Sequence, residues 1–225
     1  WSTLARRPEL PVAAHVTDLA LLRPVNRLTR NQRHKTESKP VPLVFSTFRI
    51  GALHLYEQYL HPYFESTGYR DVVVIAGFGH YSQTILELLC AMAADELDHI
   101  VVVDSAAARL LRQLRSDVDT GQVNITTVDG ELDDPGTWTQ VKEQFASQTI
   151  TPLFLLNSAD EGINFKAAML LRNQAAASKI FVSCFHHSEF AESLSVELSV
   201  EIVATEELLS DALRDHYEAL TILKT

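Results

Sequence analysis

Two glycines and one aspartate have the types and spacing in this sequence that most directly indicate chemistry. Gly77 and Gly79 stand in the run GFGHYS, directly after the apolar residues 72–76, and Asp104 ends the next apolar run. A first glycine permits a tight turn, and a second lets backbone N–H groups approach a pyrophosphate at the positive end of a helix dipole. Because an acid after the second strand can accept hydrogen bonds from ribose hydroxyls, the pattern predicts a dinucleotide-binding βαβ unit.

The whole glycine turn is a candidate phosphate-binding segment. The third glycine of the usual pattern is replaced by Ser82, at a position that serves close packing of the helix on the strand. Serine is nearly small enough for that packing, and its hydroxyl is available to cap the helix or to contact phosphate. The residues predicted to bind the cofactor are Gly77, Phe78, Gly79, His80, Tyr81 and Ser82. The alternative is a Rossmann-like unit whose pocket is empty or degenerate.

Polar residues directly after the other predicted strands are further candidates. Ligands of an open parallel sheet bind outside the carboxyl ends of the strands. The candidates at these positions are Asp104, Ser105, Asp129, Gly130 and Asn157. Asn157 follows the fourth strand, which is expected beside the first strand, where the strand order reverses. The alternative at each position is turn chemistry, since Asp, Asn, Ser and Gly are common in turns.

Asp104 also indicates which nucleotide to expect. Its carboxylate would repel a 2′-phosphate, and the nearest following base, Arg109, lies a full helical turn further on. We therefore expect NAD(H) or an adenine nucleotide (AMP, ADP or ATP) rather than NADP(H).

Candidate catalytic residues are sparse. His186 and His187 follow the fifth predicted strand and could bind a metal or transfer protons, but adjacent side chains usually point in different directions. The sequence shows no HxxxH pair, no Tyr-xxx-Lys pair and no serine nucleophile elbow. We assign no catalytic or metal-binding residue and predict that the chain is not an enzyme.

Alternating strand and helix patterns from residue 70 onward predict a doubly wound, Rossmann-like α/β domain. Short apolar strands separated by longer helical patterns are typical of a parallel sheet covered on both faces. Strands are predicted near 71–76, 99–103, 122–128, 152–156, 179–184 and 199–203. Helices are predicted near 81–94, 105–117, 135–147, 161–176, 187–194 and 205–221. Asp134 and Pro135 suit the N-cap and the first turn of the third of these helices.

Two segments precede the Rossmann-like domain, which is assigned to residues 70–225. Residues 1–43 are assigned to a basic arm, since positions 1–40 hold eight Lys or Arg and three Asp or Glu, whereas the whole chain has a net charge of −10. Residues 44–69 are assigned to an amphipathic connector whose helix ends before Pro62, because proline interrupts helices. The acidic body argues against nucleic acid as a partner, and the arm is either a solvated linker or a surface facing anionic lipid or the acidic body.

Composition favours a cytoplasmic globular protein. The chain has 225 residues, of which 46% are apolar. Cys90 and Cys184 lie in apolar runs without metal-ligand spacing, so a reducing cytosol is expected. No apolar run reaches the ~20 residues that span a bilayer, and no signal peptide is visible.

Four of these segments together resemble a known family. They are similar to the NAD-binding domain of RCK (regulator of K+ conductance) and Trk-type proteins, over about residues 70–210, and they read VVVIAGFGHYSQTILELL, HIVVVDS, VDGELDDPGTW and LFLLNSADEGINFKAAMLLR. Asp129 matches the family's Asp after the third strand, and Asn164 matches an Asn near the start of the fourth helix. Ser82 and Val128 stand where the family has glycines.

The resemblance implies a cytosolic regulatory module at the inner face of the membrane. Such domains bind NAD(H) or adenine nucleotides without doing chemistry on them, and they regulate a covalently linked or associated potassium pore. A nucleotide that binds one arrangement of domain pairs better than another would bias the pore. The rival functions are a soluble NAD-dependent oxidoreductase and a degenerate Rossmann module used only for assembly.

The resemblance also implies a homodimer or a higher ring. The last predicted helix carries an apolar stripe, and the connector adds further apolar positions that need cover. The stripe consists of Leu208, Leu209, Leu213, Tyr217, Leu220 and Leu223. The alternative is that the connector and the last helix pack on each other within one chain.

Overall fold

The computed structural model describes residues 13–16, 43–146, 151–175 and 177–222. Most of the predicted basic arm therefore lies outside the described residues, as do the side chains of Tyr217, Leu220 and Leu223. Two short parallel strands come first, β1 (Ala13–His15) and β2 (Leu43–Phe45). No helix in the described part of the chain has the length and apolarity that crossing a bilayer requires.

The connector is helical and continues past Pro62. It consists of α1 (Thr47–Leu55), a π-helical turn (Tyr56–Leu60) and α2 (His61–Thr67). The expectation that this helix ends before Pro62 is therefore wrong. In the π turn the His61 N–H donates to the Tyr56 carbonyl, five residues back. Pro62 then stands in the first turn of α2, directly after the π-helical turn, and the first turn is the part of a helix in which proline is tolerated.

The main sheet has six strands, all of them parallel. The strands are β3 (Asp71–Ala76), β4 (Leu97–Asp104), β5 (Asn124–Asp129), β6 (Leu153–Leu156), β7 (Lys179–Cys184) and β8 (Glu201–Ala204). Their order is β5-β4-β3-β6-β7-β8, so the winding reverses between β3 and β6. This is the strand order of nucleotide-binding Rossmann folds, and ligands of such sheets bind at the reversal point. The predicted fold class, a doubly wound α/β domain, is confirmed.

Six helices connect or follow these strands. They are α3 (His80–Met92), α4 (Ala107–Asp117), α5 (Pro135–Glu143), α6 (Glu161–Gln174), α7 (Glu189–Leu198) and α8 (Thr205–Ile222). Every strand and helix predicted for this domain is present, with its ends within a few residues of the prediction. The predicted N-cap of α5 is also confirmed, because the Asp134 side chain accepts the Gly136 N–H at 2.9 Å.

Two apolar cores lie on opposite faces of the sheet, because successive residues of a strand point to opposite sides. Val73 and Ile75 of β3 face a core shared with α1–α4 and α8, whereas Val74 and Ala76 face a core shared with α5, α6 and α7. All six residues of β3 are buried. A strand buried on both faces explains the unbroken apolar run that precedes the glycine turn.

The connector is a component of the first core. Leu55, Leu60 and Phe64 are each at most 3% exposed. α1 also packs on α8, where Gly51 lies against Leu208 and Leu209. Leu208 and Leu209 of the predicted stripe thus pack on α1 within one chain, whereas Leu213 is 39% exposed; the dimer stays a prediction.

Candidate functional site

The turn between β3 and α3 is shaped by Gly77. This residue has φ 83°, in the left-handed region that favours glycine, and its N–H donates to the Val103 carbonyl at 2.8 Å. A Cβ at this position would lie 2.5 Å from the Ser158 backbone nitrogen. The turn therefore passes against the loop after β6 with no room for a side chain, which is why the position requires glycine.

Gly79 is the N-cap of α3 and leaves that end of the helix open. Its φ is −70°, which any residue adopts, and an added Cβ would meet no described atom within 4 Å. No described side chain caps α3, although the first N–H groups of a helix have no acceptor within the helix. The open space and the unused N–H groups make this end of α3 suited to an anionic group.

Asp104 is held beside the glycine turn. One carboxylate oxygen accepts the Phe78 N–H at 2.8 Å, and the other accepts the Ala106 N–H at 3.0 Å. A carboxylate has roughly four acceptor sites. Both oxygens therefore retain lone pairs that can accept from further donors, such as the hydroxyls of a ribose.

A cavity of about 540 Å³ joins these features at the carboxyl edge of the sheet. Small-molecule sites typically measure roughly 300–1,000 Å³. The predicted site residues that line the cavity are Gly77, Phe78, Gly79, His80, Tyr81, Asp104 and Asn157. The structure thus brings most of the predicted site together around one space.

Four other predicted site residues are not among those that line this cavity. Ser82 is 1% exposed, so its hydroxyl packs inward and neither caps α3 nor lines the cavity. Asp129 accepts a backbone N–H at the start of α4, at 2.9 Å. A Cβ on Gly130 would lie 2.3 Å from Thr137 Oγ1, so this glycine packs against α5. Ser105 is exposed on the turn after β4. Asp129 and Gly130 thus have structural contacts of their own, a hydrogen bond at the start of α4 and packing against α5.

Asn157 lies in the crevice between β3 and β6, and its loop is organised by a buried asparagine. Asn157 Oδ1 accepts a hydrogen bond from the Ser183 hydroxyl, and both residues line the cavity. Asn164 is fully buried; it accepts the Ser158 N–H at 2.8 Å and donates to the Ser158 and Ser183 carbonyls at 3.0 and 2.9 Å. Asn164 therefore shapes this wall of the cavity from behind.

Seven lining residues lie outside the site that the sequence predicts: Ser158, Ala159 and Ser183 near the ends of strands, and four residues of two helices. Thr47 and Phe48 belong to α1, and Thr205 and Leu209 belong to α8. They are distant in sequence from the glycine turn. The only sequence feature that points to these helices is their apolar periodicity. It predicts that each helix buries one face, but it does not predict which element that face packs on.

The paired histidines lie away from this cavity, on the exposed loop after β7. His186 Nδ1 pairs with the carboxylate of Glu206 at the start of α8, and His187 is exposed beside it. Within the described residues, no group of three or more His, Cys, Asp or Glu is arranged to hold a metal ion. Cys90 and Cys184 are free thiols, and burial raises the pKa of each to about 11. Both thiols therefore stay protonated at neutral pH.

Comparison with known proteins gives fold similarity alone. No protein-family model matches the chain, and no curated protein matches it. One similar solved structure is galactitol-1-phosphate dehydrogenase from Escherichia coli, at 11% identity over 75% of this chain and 46% of that chain, with a TM-score of 0.41. Another is D-arabinose dehydrogenase from Sulfolobus solfataricus, at 14% identity over 76% of this chain and 49% of that chain, with a TM-score of 0.43. This chain thus spans about half the length of each dehydrogenase.

These matches correct one prediction. The sparse catalytic residues and the family resemblance predict a chain that is not an enzyme, whereas both similar structures are of dehydrogenases. The prediction is therefore contradicted. At this level of identity the similarity extends to the fold, and it assigns no catalytic role to any residue of this chain.

Proposed function

We propose that this chain is a nucleotide-binding regulatory domain that takes NAD(H) or an adenine nucleotide in the cavity at the β3–α3 turn. The observation that carries the proposal is the position of Asp104, which is bonded to the Phe78 N–H of the turn and borders the same cavity as Gly79. The phosphates of a nucleotide would lie over Gly79 at the uncapped end of α3, and ribose hydroxyls would donate to Asp104.

The regulatory part of the proposal is supported by the resemblance of residues 70–210 to RCK and Trk-type domains. In that role, homodimers or rings of the domain have two arrangements, and a ligand that binds one of them more tightly biases a linked or associated potassium pore. A ligand that binds both arrangements equally would shift nothing. The regulatory role therefore requires a change in assembly on ligand binding, beyond the binding itself.

Titration calorimetry with the full chain tests the binding step. NADH, NADPH, AMP, ADP and ATP would be compared, with the Gly79→Asp variant as the control that blocks the phosphate position. Binding of at least one free-2′-hydroxyl nucleotide to the parent, and of none to the variant, is the expected result. Light scattering at micromolar concentration, with and without that nucleotide, then tests the regulatory step. A mass near 25 kDa under both conditions would contradict it.

A NAD-dependent oxidoreductase is the second candidate function. The observation that favours it is the extent of the cavity, which continues past the glycine turn to Ser183 and Thr205 on the far side of the crevice. Dinucleotides bind across such a crevice, with the second nucleotide on the half that contains these residues. Steady oxidation of NADH in the presence of small carbonyl compounds would support this function, and no turnover across such a panel would count against it.

A further inference from the structure

We infer that the first turns of α1 form a wall of the nucleotide cavity that bound ligand holds in place. This inference rests on the proposed function and names a regulation of the same site. α1 belongs to the connector, so a ligand that fixes α1 also fixes the segment that joins the domain to residues 1–43.

The residues that begin α3 also hold α1. The Phe48 ring of α1 stacks on His80, the first residue of α3, with 6.1 Å between ring centroids and 20° between planes. The Tyr81 hydroxyl donates to the Gly51 carbonyl at 3.4 Å. Burial raises the pKa of Tyr81, so this hydroxyl keeps its proton. Phosphates placed at the end of α3 would therefore lie against the two side chains that attach α1.

α8 completes the attachment from the other side. A Cβ on Gly51 would lie 3.0 Å from Leu209 and 3.2 Å from Leu208, so the backbone of α1 rests directly on these leucines. Leu209 itself lines the cavity. Outside the cavity, Arg49 pairs with Glu87 of α3 at 3.4 Å. The start of α1 is thus wedged between α3 and α8, with Thr47 and Phe48 turned to the ligand space.

The two halves of α1 differ in how firmly they are held. Ala52 and Leu55 in the second half are 1% and 2% exposed and belong to the sheet core. Thr47 and Phe48 in the first half are only partly buried. Local opening of the first turn, at Thr47 and Phe48, therefore exposes less apolar surface than opening of the second half would, while it removes one wall of the ligand site. A ligand that binds the closed form alone suppresses that opening by a factor of 1 + [L]/Kd, about 100 when ligand is at 100 times Kd.

Hydrogen exchange of the full chain measures this opening directly. With NADH or ADP at saturation, amide exchange in peptides covering Thr47–Leu55 is expected to slow at least tenfold. Exchange in α7, which lies on the opposite face of the sheet and does not border the cavity, is expected to stay unchanged. The Gly79→Asp variant, which blocks the phosphate position, is expected to show no ligand-dependent slowing in either segment.

The Arg49→Ala variant adds a test at a side chain that lies outside the ligand cavity. Loss of the Arg49–Glu87 pair is expected to speed exchange in Thr47–Leu55 without ligand by a factor of about 2 to 5, the range for an exposed ion pair. Lys166→Ala on α6 removes a comparable exposed ion pair, that of Lys166 with Asp133, and it is expected to leave exchange in α1 unchanged.

The outcomes separate this inference from the proposed function. Nucleotide binding by calorimetry with unchanged exchange in α1 overturns the inference alone. Equal slowing in α1 and α7 indicates general stabilisation of the fold and also overturns it. Absence of binding for every nucleotide overturns the proposed function, and the inference with it.

Discussion

α3 and α6 begin at the carboxyl ends of neighbouring strands, yet their first turns are built differently. Asp160 caps α6 by accepting the Gly162 and Ile163 N–H groups at 2.8 and 3.3 Å. Gly79 gives α3 no capping side chain. α4, α5 and α7 resemble α6, because in each a side chain accepts an N–H group at the start of the helix.

This comparison shows how one edge of a sheet can hold both capped helix N-termini, which are structural, and an uncapped one that is free to bind a ligand. Polar residues follow nearly every strand, so their presence does not distinguish the helices. What distinguishes α3 is the lack of a cap at the reversal point of the sheet, where the cavity lies. An N-cap contributes about 1 kcal/mol, and a bound anion at α3 would supply the contact that Gly79 does not.

The largest expected effect comes from Gly77, the glycine of the turn that leads into α3. Gly77→Ala should destabilise the fold by about 3 kcal/mol or more, because its Cβ would meet the Ser158 backbone at 2.5 Å and its φ is 83°. Gly79→Ala is the matched control and should change the free energy of unfolding by less than about 1 kcal/mol, since its Cβ meets open space. Urea denaturation of both variants makes the measurement. Equal losses would remove the distinction between the two glycines.

A charge placed in the open first turn should next abolish binding. Gly79→Asp puts a carboxylate where the phosphates would lie, so nucleotide affinity should fall at least about 100-fold through repulsion and occlusion. The fold should be retained, because no described atom lies within 4 Å of the added Cβ. Calorimetry measures the affinity, and circular dichroism checks the fold. A folded variant that binds as the parent does would place the site elsewhere.

Much of this arrangement could be predicted from local pattern. The apolar run 72–76, the glycines after it and Asp104 lie within one βαβ unit, where short-range rules of strand, turn and helix apply. The residues of α1 and α8 that line the cavity could not be predicted in this way. Phe48 meets His80 only because α1 packs between α3 and α8, and such contacts depend on tertiary packing. Asp129 also shows what local pattern leaves open, since this polar residue at the expected edge accepts an N–H of α4 and is not among the residues that line the cavity.

The acid beside the open turn should set which nucleotide is preferred. Asp104 would accept from a 2′-hydroxyl and repel a 2′-phosphate, so NADH should bind at least about tenfold more tightly than NADPH. Asp104→Asn removes the charge, while its amide oxygen can still accept the Phe78 N–H. The preference for NADH over NADPH should therefore be smaller in this variant. Competition calorimetry measures the ratio of the NADH and NADPH affinities for the parent and for the variant. Tighter binding of NADPH to the parent would rule out Asp104 as the ribose ligand.

Removing the cap of α6 should affect stability rather than binding. Asp160→Ala leaves the Gly162 and Ile163 N–H groups without their acceptor, which should cost about 1 to 2 kcal/mol. Nucleotide affinity should change less than about threefold, because Asp160 is not among the residues that line the cavity. Thermal denaturation and calorimetry on the same sample separate the two effects. A large loss of affinity with little loss of stability would reverse the roles assigned to α3 and α6.

The smallest expected effect concerns Asp71, at the amino end of β3. This residue lies on the strand that leads to the open turn, but at the end of the strand away from the cavity. Asp71 is 0% exposed, and burial raises its pKa; the charge of Glu96 adds to the rise, and the hydrogen bond from Thr67 opposes it. Since the folded pKa lies above the unfolded one, the neutral acid stabilises the fold at low pH, and this contribution is lost as pH rises through the folded pKa. The side chain of the Asp71→Asn variant is neutral at every pH. The variant should therefore be more stable than the parent at about pH 7, by up to about 1 kcal/mol, and equally stable near pH 3.5. Its nucleotide affinity should be unchanged. Urea denaturation across this range decides the point, and a difference that is constant with pH would show that folding does not shift the pKa of Asp71.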